Sequence, residues 1–206
     1  MKEALLEPLL RRMRLRRVLP VVRRYPGCAL LDIGCGWEAR LLRAVEPLIA
    51  RGVGVDFKAP RARSPKIETR QLTLARELPF ASSTFDVVTM LAVLEHLAHP
   101  LEIVREISRV LKPGGRLVLT VPSNAAKPVL EFLAFRLKVV SEAEIRDHKR
   151  YYNRASVQSL VAECGLRVET HRYFQFGMNN FLVAAKDIAP VGPPARRPRA
   201  SRGTAP

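Results

Sequence analysis

The stretch from Ala29 to Ala39, with the sequence ALLDIGCGWEA, decides the fold. An apolar run ends in an acid and two glycines, and a helix-like segment follows. This pattern predicts a β-strand that leads into a ligand-binding loop. Glycines at positions 34 and 36 permit backbone angles that other residues avoid, and without a Cβ atom they let a ligand lie against the main chain.

Two classes of cofactor use such a loop. Gly34-x-Gly36-x-x-Ala39 fits the fingerprint of a dinucleotide-binding loop, whose last position is Gly or Ala. Asp32 favours the second class, S-adenosylmethionine, because a carboxylate before the glycines would repel a pyrophosphate but complement an ammonium or sulfonium group. Asp56 ends the next apolar segment, about 20 residues past the loop, where an acid binds a ribose. Both cofactors carry a ribose, so Asp56 indicates a nucleoside without choosing between them.

The composition limits the class of protein. A chain of 206 residues is long enough for one domain with a core of several strands and covering helices. Its 35 basic and 19 acidic residues give a net charge of +16, which attracts anions in general. Nucleic acid, anionic lipid and a phosphorylated substrate all fit this charge, and so does an arginine-rich coding bias without a dedicated partner.

Cysteine usage and hydropathy indicate the compartment. The three cysteines are odd in number and widely spaced, which favours reduced thiols over a disulfide framework. No apolar run is long enough to span a bilayer, and two glutamates precede the first arginines, unlike in a secretory signal. We therefore expect a cytoplasmic protein without a transmembrane segment.

Both ends of the chain are basic. Residues 1–22 predict a basic amphipathic helix, whose apolar stripe consists of Leu5, Leu6, Leu9, Leu10, Met13 and Leu15. Such a helix can lie on an anionic membrane, but we expect this one to pack on the sheet and extend its arginines into water. Residues 187–206 are rich in proline, arginine and small residues, which predicts a disordered basic tail. Any weak contact with nucleic acid or an anionic membrane is expected at these two ends.

The middle of the chain alternates strand-like and helix-like segments, which implies a parallel sheet. Strands are predicted at 28–33, 52–56, 66–72, 85–91, 116–121, 166–173 and 180–186, and helices at 38–50, 99–111, 127–140 and 154–164. The run 85–91 is apolar and rich in β-branched residues, as in a central strand buried on both faces. Residues 59–65 contain prolines and arginines and predict a connector without a regular helix.

Four further motifs follow the glycine loop in order. They are Leu78-Pro79-Phe80, Phe85-Asp86-Val87-Val88, Leu94-Glu95-His96-Leu97 and Leu111-Lys112-Pro113-Gly114-Gly115. With this ordered set, residues 23–186 resemble the class I S-adenosylmethionine-dependent methyltransferases, in particular the small-molecule enzymes of quinone biosynthesis. The resemblance implies a Rossmann-like doubly wound α/β fold, with a mostly parallel seven-stranded sheet and a C-terminal antiparallel hairpin. It also implies a helical lid, at about residues 123–152, over the acceptor pocket.

The resemblance further implies that the cofactor is S-adenosyl-L-methionine. The residues that would surround its methionine end, largely through backbone groups, are Asp32, Gly34, Cys35 and Gly36. Leu91 ends the predicted central strand, and its carbonyl would point toward the methionine amino group.

At the nucleoside end, Asp56 would bind the ribose hydroxyls and Phe57 would pack on the adenine. Two positions depart from the family pattern. Glu38 stands where a third glycine is usual, and it would either meet the ammonium group or point to solvent at a helix start, where its charge is favourable. Leu72-Thr73-Leu74 replaces a stretch in which an acid commonly meets the adenine amine. Thr73 would take that role through its hydroxyl or its backbone.

Methyl transfer from a sulfonium requires alignment of donor and acceptor and, for some acceptors, a general base. The candidate bases are His96, just past the central strand, and His148, in the predicted lid. Some quinone-ring O-methyltransferases hold a metal with Glu-x-x-Glu-His after this strand, but Ala92 occupies the first position here. We therefore predict no metal site.

Three functions compete at this point. The leading hypothesis is methyl transfer to a small-molecule acceptor. A nicotinamide-dependent oxidoreductase is supported only by the glycine pattern and Asp56. The third hypothesis is a noncatalytic methyltransferase-like protein that binds RNA or anionic lipid through its basic ends.

Overall fold

The computed structural model describes residues 7–129 and 149–188, which build a β-sheet with helices on both faces. The helices are α1 (Glu7–Val22), α2 (Arg40–Val45), α3 (Pro100–Val110) and α4 (Arg154–Glu163). The strands are β1 (Cys28–Ile33), β2 (Ile49–Asp56), β3 (Ala62–Arg63), β4 (Ile67–Gln71), β5 (Phe85–Leu91), β6 (Leu111–Pro122), β7 (Leu166–Phe174) and β8 (Asn179–Lys186). Two short 3₁₀ turns cover Glu46–Leu48 and Leu94–His96.

The eight strands form a single sheet in the order β3-β4-β2-β1-β5-β6-β8-β7. The pairs from β4 to β6 are parallel, and β8 and β7 add an antiparallel hairpin. The predicted Rossmann-like fold with its C-terminal hairpin is therefore confirmed. The sheet has one strand more than predicted. The extra strand is β3, which lies inside the connector 59–65 and pairs antiparallel with β4. A two-residue strand is too short to show an alternating pattern, which explains why the sequence did not reveal it.

The centre of the sheet is buried on both faces. In β5, Val87 and Val88 point to opposite faces and neither is accessible to solvent. Val88 belongs to a core that includes side chains of α3 and α4, and Val87 to a second core that includes side chains of α1 and α2. This burial is the one predicted for a central strand. Because β5 pairs parallel with β1, the loops at the carboxyl ends of the two strands lie beside each other.

Helix α1 packs on the sheet, as expected. Val18 and Val22 are completely buried, and the Arg17 guanidinium lies 4.2 Å from the centre of the Phe174 ring. The predicted apolar stripe is wrong at Leu9, which is 56% exposed. The two completely buried residues, Val18 and Val22, lie in the C-terminal half of the helix.

Two predicted element boundaries are wrong. The helix predicted at 38–50 is the short α2, and Ile49 already begins β2. The strand predicted at 116–121 begins at Leu111, which pairs with Phe85, and the glycine-containing stretch after Leu111 forms an irregularity within the strand. A Cβ atom on Gly115 would lie 2.9 Å from the Asp86 carbonyl oxygen, so the close approach of β5 requires glycine there.

The predicted lid is described only at its two ends. Ser123 and Tyr152 form a parallel bridge, and the Tyr152 N–H donates to the Pro122 carbonyl at 3.2 Å. Both ends of the segment therefore meet at the carboxyl end of β6. The predicted helix beyond residue 129, His148 and the predicted tail after residue 188 lie outside the described residues. Within residues 7–129 and 149–188, no helix is long and apolar enough to cross a membrane.

Candidate cofactor site

The glycine loop follows β1 at the carboxyl edge of the sheet, as predicted. Gly34 has a φ of +77° and Gly36 a φ of +68°. Residues with a Cβ atom rarely adopt such backbone angles. A Cβ atom on Gly34 would lie 2.2 Å from the Val93 Cγ2 atom, whereas one on Gly36 would meet nothing within 4 Å. Position 34 therefore requires glycine for both its backbone angle and its contact with the turn after β5.

The N–H groups of this loop are bound within the protein. Gly34 and Cys35 donate to the Val55 carbonyl at 2.8 and 3.2 Å. Gly36 donates to the Asp56 Oδ2 atom at 3.1 Å. These bonds hold the loop against the end of β2, so none of the three N–H groups points freely at an anion.

Asp32 is the buried acid of the site, with only 3% of its surface exposed. The Thr89 hydroxyl on the neighbouring strand β5 donates to its Oδ1 atom at 2.7 Å. Burial raises the Asp32 pKa to about 7; the Thr89 hydrogen bond opposes this shift, and the nearby Asp56 carboxylate adds to it. A cation placed beside Asp32 would favour its ionised form, which is the electrostatic requirement of an ammonium or sulfonium ligand.

Asp56 ends β2 and is partly exposed. Its Oδ2 atom accepts from the Gly36 N–H, and its Oδ1 atom accepts from the Lys58 N–H at 2.8 Å. Since a carboxylate oxygen can accept two hydrogen bonds, each oxygen retains one acceptor position. Two free acceptor positions match the two hydroxyl groups of a ribose.

Phe57 follows Asp56 and is 58% exposed. The Gln71 side-chain amide donates to the Phe57 carbonyl at 3.0 Å, which joins the ends of β2 and β4. Thr73 lies just past β4 and is exposed, and the Leu72 N–H donates to the Asp56 carbonyl at 3.0 Å. A groove of about 550 Å³, lined in part by Gln71 and Leu72, opens along β4. The joined ends of β2 and β4 thus bring Asp56, Phe57 and Thr73 close together, with Phe57 and Thr73 exposed.

Cys35 holds the loop through its backbone N–H group. Its side chain is buried, and a Cβ atom on Gly54 would lie 2.7 Å from the Cys35 Sγ atom. The thiol therefore packs against β2, and burial raises its pKa to about 12. Cys28, Cys35 and Cys164 are all free.

Leu91 ends β5 on the other side of the loop, and His96 follows the strand. Leu91 is the last residue of the strand, and the chain turns at Ala92, which has a φ of +56°. The His96 N–H donates to the Val93 carbonyl at 3.0 Å in the short 3₁₀ turn, and its side chain is half-buried. Glu38 is exposed and pairs with Arg40, which fits the solvent-facing interpretation of this departure from the family pattern.

Thr89 is the functional residue that the sequence analysis missed. Its signal is a hydroxyl in the middle of the apolar run FDVVTML, where a buried polar group needs a partner. Its partner, Asp32, became apparent only from the register of β1 and β5. Across residues 7–129 and 149–188, no three His, Cys, Asp or Glu side chains cluster in a way that could hold a metal ion.

The same fold occurs in solved structures. A putative methyltransferase from Bacillus halodurans matches with a TM-score of 0.64 over 84% of this chain and 98% of that one, at 17% sequence identity. This likeness places the protein in the class of α/β folds used by methyltransferases. A family model described as a methyltransferase domain matches residues 5–171. The chain therefore belongs to the methyltransferase family, as the resemblance predicted.

Relatives at higher identity carry specific names. The 27-O-demethylrifamycin SV methyltransferase of Amycolatopsis mediterranei is 31% identical over 156 residues, covering 66% of this chain and 56% of that one. A ubiquinone biosynthesis O-methyltransferase of Pseudomonas putida is 30% identical over 162 residues, covering 69% of this chain and 66% of that one. The chain thus matches between about half and two thirds of the length of these relatives.

Proposed function

We propose that this protein transfers a methyl group from S-adenosylmethionine to a small-molecule acceptor. The observation that carries the proposal is the pair of carboxylates on either side of one glycine loop. Asp32 is buried and suited to a cation, and Asp56 keeps acceptor positions for a ribose. A nucleoside cofactor with a cationic group satisfies both carboxylates at once.

The residues present fit this cofactor, which supplies an electrophilic methyl group when bound. Thr89 orients the Asp32 carboxylate, and the absence of a side chain at Gly34 lets the loop pack closely against Val93 in the turn after β5. Phe57 offers an exposed ring to the adenine. For acceptors that must lose a proton, we propose His96 and His148 as bases.

A nicotinamide-dependent oxidoreductase fits less well. A dinucleotide-binding loop offers free N–H groups to a pyrophosphate, but Gly34, Cys35 and Gly36 all donate within the protein. The Asp32 carboxylate would also face the pyrophosphate with like charge. Both features argue for the cationic cofactor.

For the acceptor, the names of the two relatives suggest where to begin. The compounds to test first are 27-O-demethylrifamycin SV, which one relative is named for, and intermediates of ubiquinone biosynthesis with a free hydroxyl group, because the other is named as an O-methyltransferase of that pathway. We propose the cytoplasm as the site of action, since all three thiols are free and buried.

Calorimetric titration with S-adenosylhomocysteine and with NADH tests the proposal. We expect S-adenosylhomocysteine to bind and NADH not to bind. In a separate turnover assay with S-adenosylmethionine and a suitable acceptor, we expect S-adenosylhomocysteine to form as a product. Asp86→Asn is a matched control, because Asp86 is an acid of the same sheet that pairs with Lys112 near the start of β6. It should leave binding unchanged. Binding of NADH alone would overturn the proposal, and binding of neither ligand would favour the noncatalytic hypothesis.

A further inference from the structure

Exposed large apolar side chains are concentrated at one edge of the sheet. In the part of the chain that the structure describes, they are Leu9, Trp37, Phe57, Val129, Tyr173, Phe176 and Ile188. Trp37 lies four residues past the carboxyl end of β1, and Val129 lies seven residues past that of β6. Phe176 lies in the turn between β7 and β8, which is at the same edge because Asn179 pairs with Pro122 at the end of β6. We call this edge, with its four residues Leu9, Trp37, Val129 and Phe176, the apolar rim.

Leu9 belongs to the rim because of the direction of α1. Val22, near the end of the helix, precedes the start of β1, while the Gln175 amide contacts the Met13 sulfur at 3.9 Å in the turn between β7 and β8. Leu9 lies one helical turn beyond Met13, about 6 Å further out. Ile188, by contrast, lies near Gly114, at the opposite edge of the sheet.

Phe176 is held outward by an ordered turn. Its relative exposure is 102%, and Gln175, Phe176 and Gly177 all have positive φ angles, of 52°, 55° and 84°. Positive φ is unfavourable for the first two residues, so the rest of the turn must stabilise it. Gln175 is bonded to Asn179, and the Ser123 hydroxyl donates to the Gly177 carbonyl at 2.6 Å. A well-anchored turn thus presents a phenyl ring to solvent.

Cations surround the rim. Exposed cations in the described residues that are close in sequence to the rim or to the strand ends at this edge include Arg12, Lys58, Lys127, Lys149 and Arg150. The exposed acid nearest Trp37 in the loop is Glu38, and its charge is balanced by Arg40. The edge therefore combines apolar tips with positive charge.

We propose that the apolar rim docks on the surface of an anionic lipid bilayer. Its apolar tips would enter the interfacial region and its cations would lie at the lipid phosphates. Three strand spacings, about 15 Å, separate β1 from β8, so Trp37 and Phe176 are separate tips and not one contiguous patch for a protein partner. Leu9 and Val129 are aliphatic and cannot stack on bases, which favours lipid over single-stranded nucleic acid.

Docking would turn the mouth of the cofactor site toward the lipid. An apolar acceptor could then enter the site from the bilayer, a consequence that rests on the proposed function. The docking itself does not rest on it, because vesicle binding can be measured without turnover. Experiments can therefore contradict membrane docking and methyl transfer independently of each other.

Trp37 provides a direct probe, since it is the only tryptophan of the chain. The full-length protein is mixed with vesicles of phosphatidylcholine containing about one third phosphatidylserine. We expect a blue shift of the Trp37 emission and quenching by brominated lipids, neither of which should occur with pure phosphatidylcholine. Tight binding to an RNA oligonucleotide without these changes would overturn the proposal.

Co-sedimentation with the same vesicles tests the rim residue by residue. Phe176→Ala should weaken the partition about fivefold, because the ring loses partial burial in the interface. Ile188→Ala is the matched control: Ile188 is 72% exposed but lies at the opposite edge, and its loss should leave the partition unchanged. Since both side chains are exposed, melting curves should confirm that both variants fold. Equal effects of the two substitutions, or no effect of Phe176→Ala, would overturn the proposal.

Discussion

The two ends of the proposed cofactor site use the same type of side chain in opposite environments. Asp32 lies at the centre of the sheet, 3% exposed and bonded to Thr89. Asp56 is partly exposed, and its partners are backbone N–H groups. Burial raises the pKa of the first carboxylate, whereas hydrogen bonds fix the orientation of the second. The buried end can therefore select for charge, and the open end for shape and hydroxyl groups.

The difference arises from how each strand is covered. The strands at the centre, β1 and β5, have packed cores on both faces. Toward β4 and β3, the connector that follows β2 contains Pro60 and Pro65 and forms a two-residue strand where a covering helix could have formed. The nucleoside end stays open to solvent: Phe57 is 58% exposed, and Thr73 is also exposed.

Asp32→Asn gives the sharpest test of the buried end. Because the pKa of Asp32 is raised from 3.8 to about 7, its ionisation destabilises the fold as the pH rises through this range, and the full effect is present above pH 7. Asparagine can keep the Thr89 hydrogen bond without the charge. We expect the free energy of unfolding above pH 7 to rise by about 2–4 kcal/mol, as measured by urea denaturation, while affinity for S-adenosylmethionine falls about 100-fold.

The same substitution also tests the coupling to protons. Binding of the cationic cofactor should ionise Asp32, so the wild-type protein should release a proton below about pH 7 and bind more tightly as the pH rises toward that value. Calorimetry in buffers of different ionisation enthalpy measures the release. Asp32→Asn should abolish it. Equal proton release in the two proteins would show that another group is responsible.

Gly34→Ala tests whether the loop at this end is rigid. The added methyl group combines a positive φ with a clash against Val93, and we expect a loss of about 3 kcal/mol of stability. Gly36→Ala is the control with a similar φ and an open environment, and it should lose about 1 kcal/mol. Chemical denaturation compares the two. Equal losses of stability would mean that the turn after β5 moves to accommodate the added methyl group, and that the buried end is not rigid.

Asp56→Ala tests the open end. The loss of charge-assisted hydrogen bonds to the ribose should weaken cofactor binding by about 1.5–3 kcal/mol in calorimetry. The pH dependence of binding should persist in this variant, because Asp32 is retained. Unchanged affinity in a folded Asp56→Ala protein would contradict the assignment of the nucleoside end.

Phe57→Ala should have the smallest effect. Removing an exposed ring that covers one face of the adenine should weaken binding by about 1 kcal/mol. Phe176→Ala removes a ring of the same type from the apolar rim and should leave cofactor affinity in solution unchanged. If Phe57→Ala weakens cofactor binding more than Asp32→Asn does, the open end contributes more binding energy than the buried end, and stacking outweighs charge in this site.

Several features were predictable from the sequence because they depend on local pattern. The glycine pattern predicted a loop with positive φ angles after β1, and the apolar run at 85–91 predicted the central strand β5. The acid about 20 residues past the loop predicted the end of a second strand, and β2 does end at Asp56. The ordered motifs predicted the family, which the match to residues 5–171 confirms. The boundaries of α2 and β6 were wrong, because strand pairing with β1 and β5 outweighed local helix and turn signals.

By itself, then, the sequence determined the fold class, the position of the loop and the residue types available at the cofactor site. Tertiary structure alone decided that Asp32 is paired with Thr89, that burial raises the Asp32 pKa to about 7, and that the Cys35 thiol faces β2. The physical reason is that backbone preference and apolar periodicity are properties of neighbouring residues. Burial, desolvation and pairing depend on residues far apart in the chain, such as 32 and 89, and exist only once the strands have taken their register.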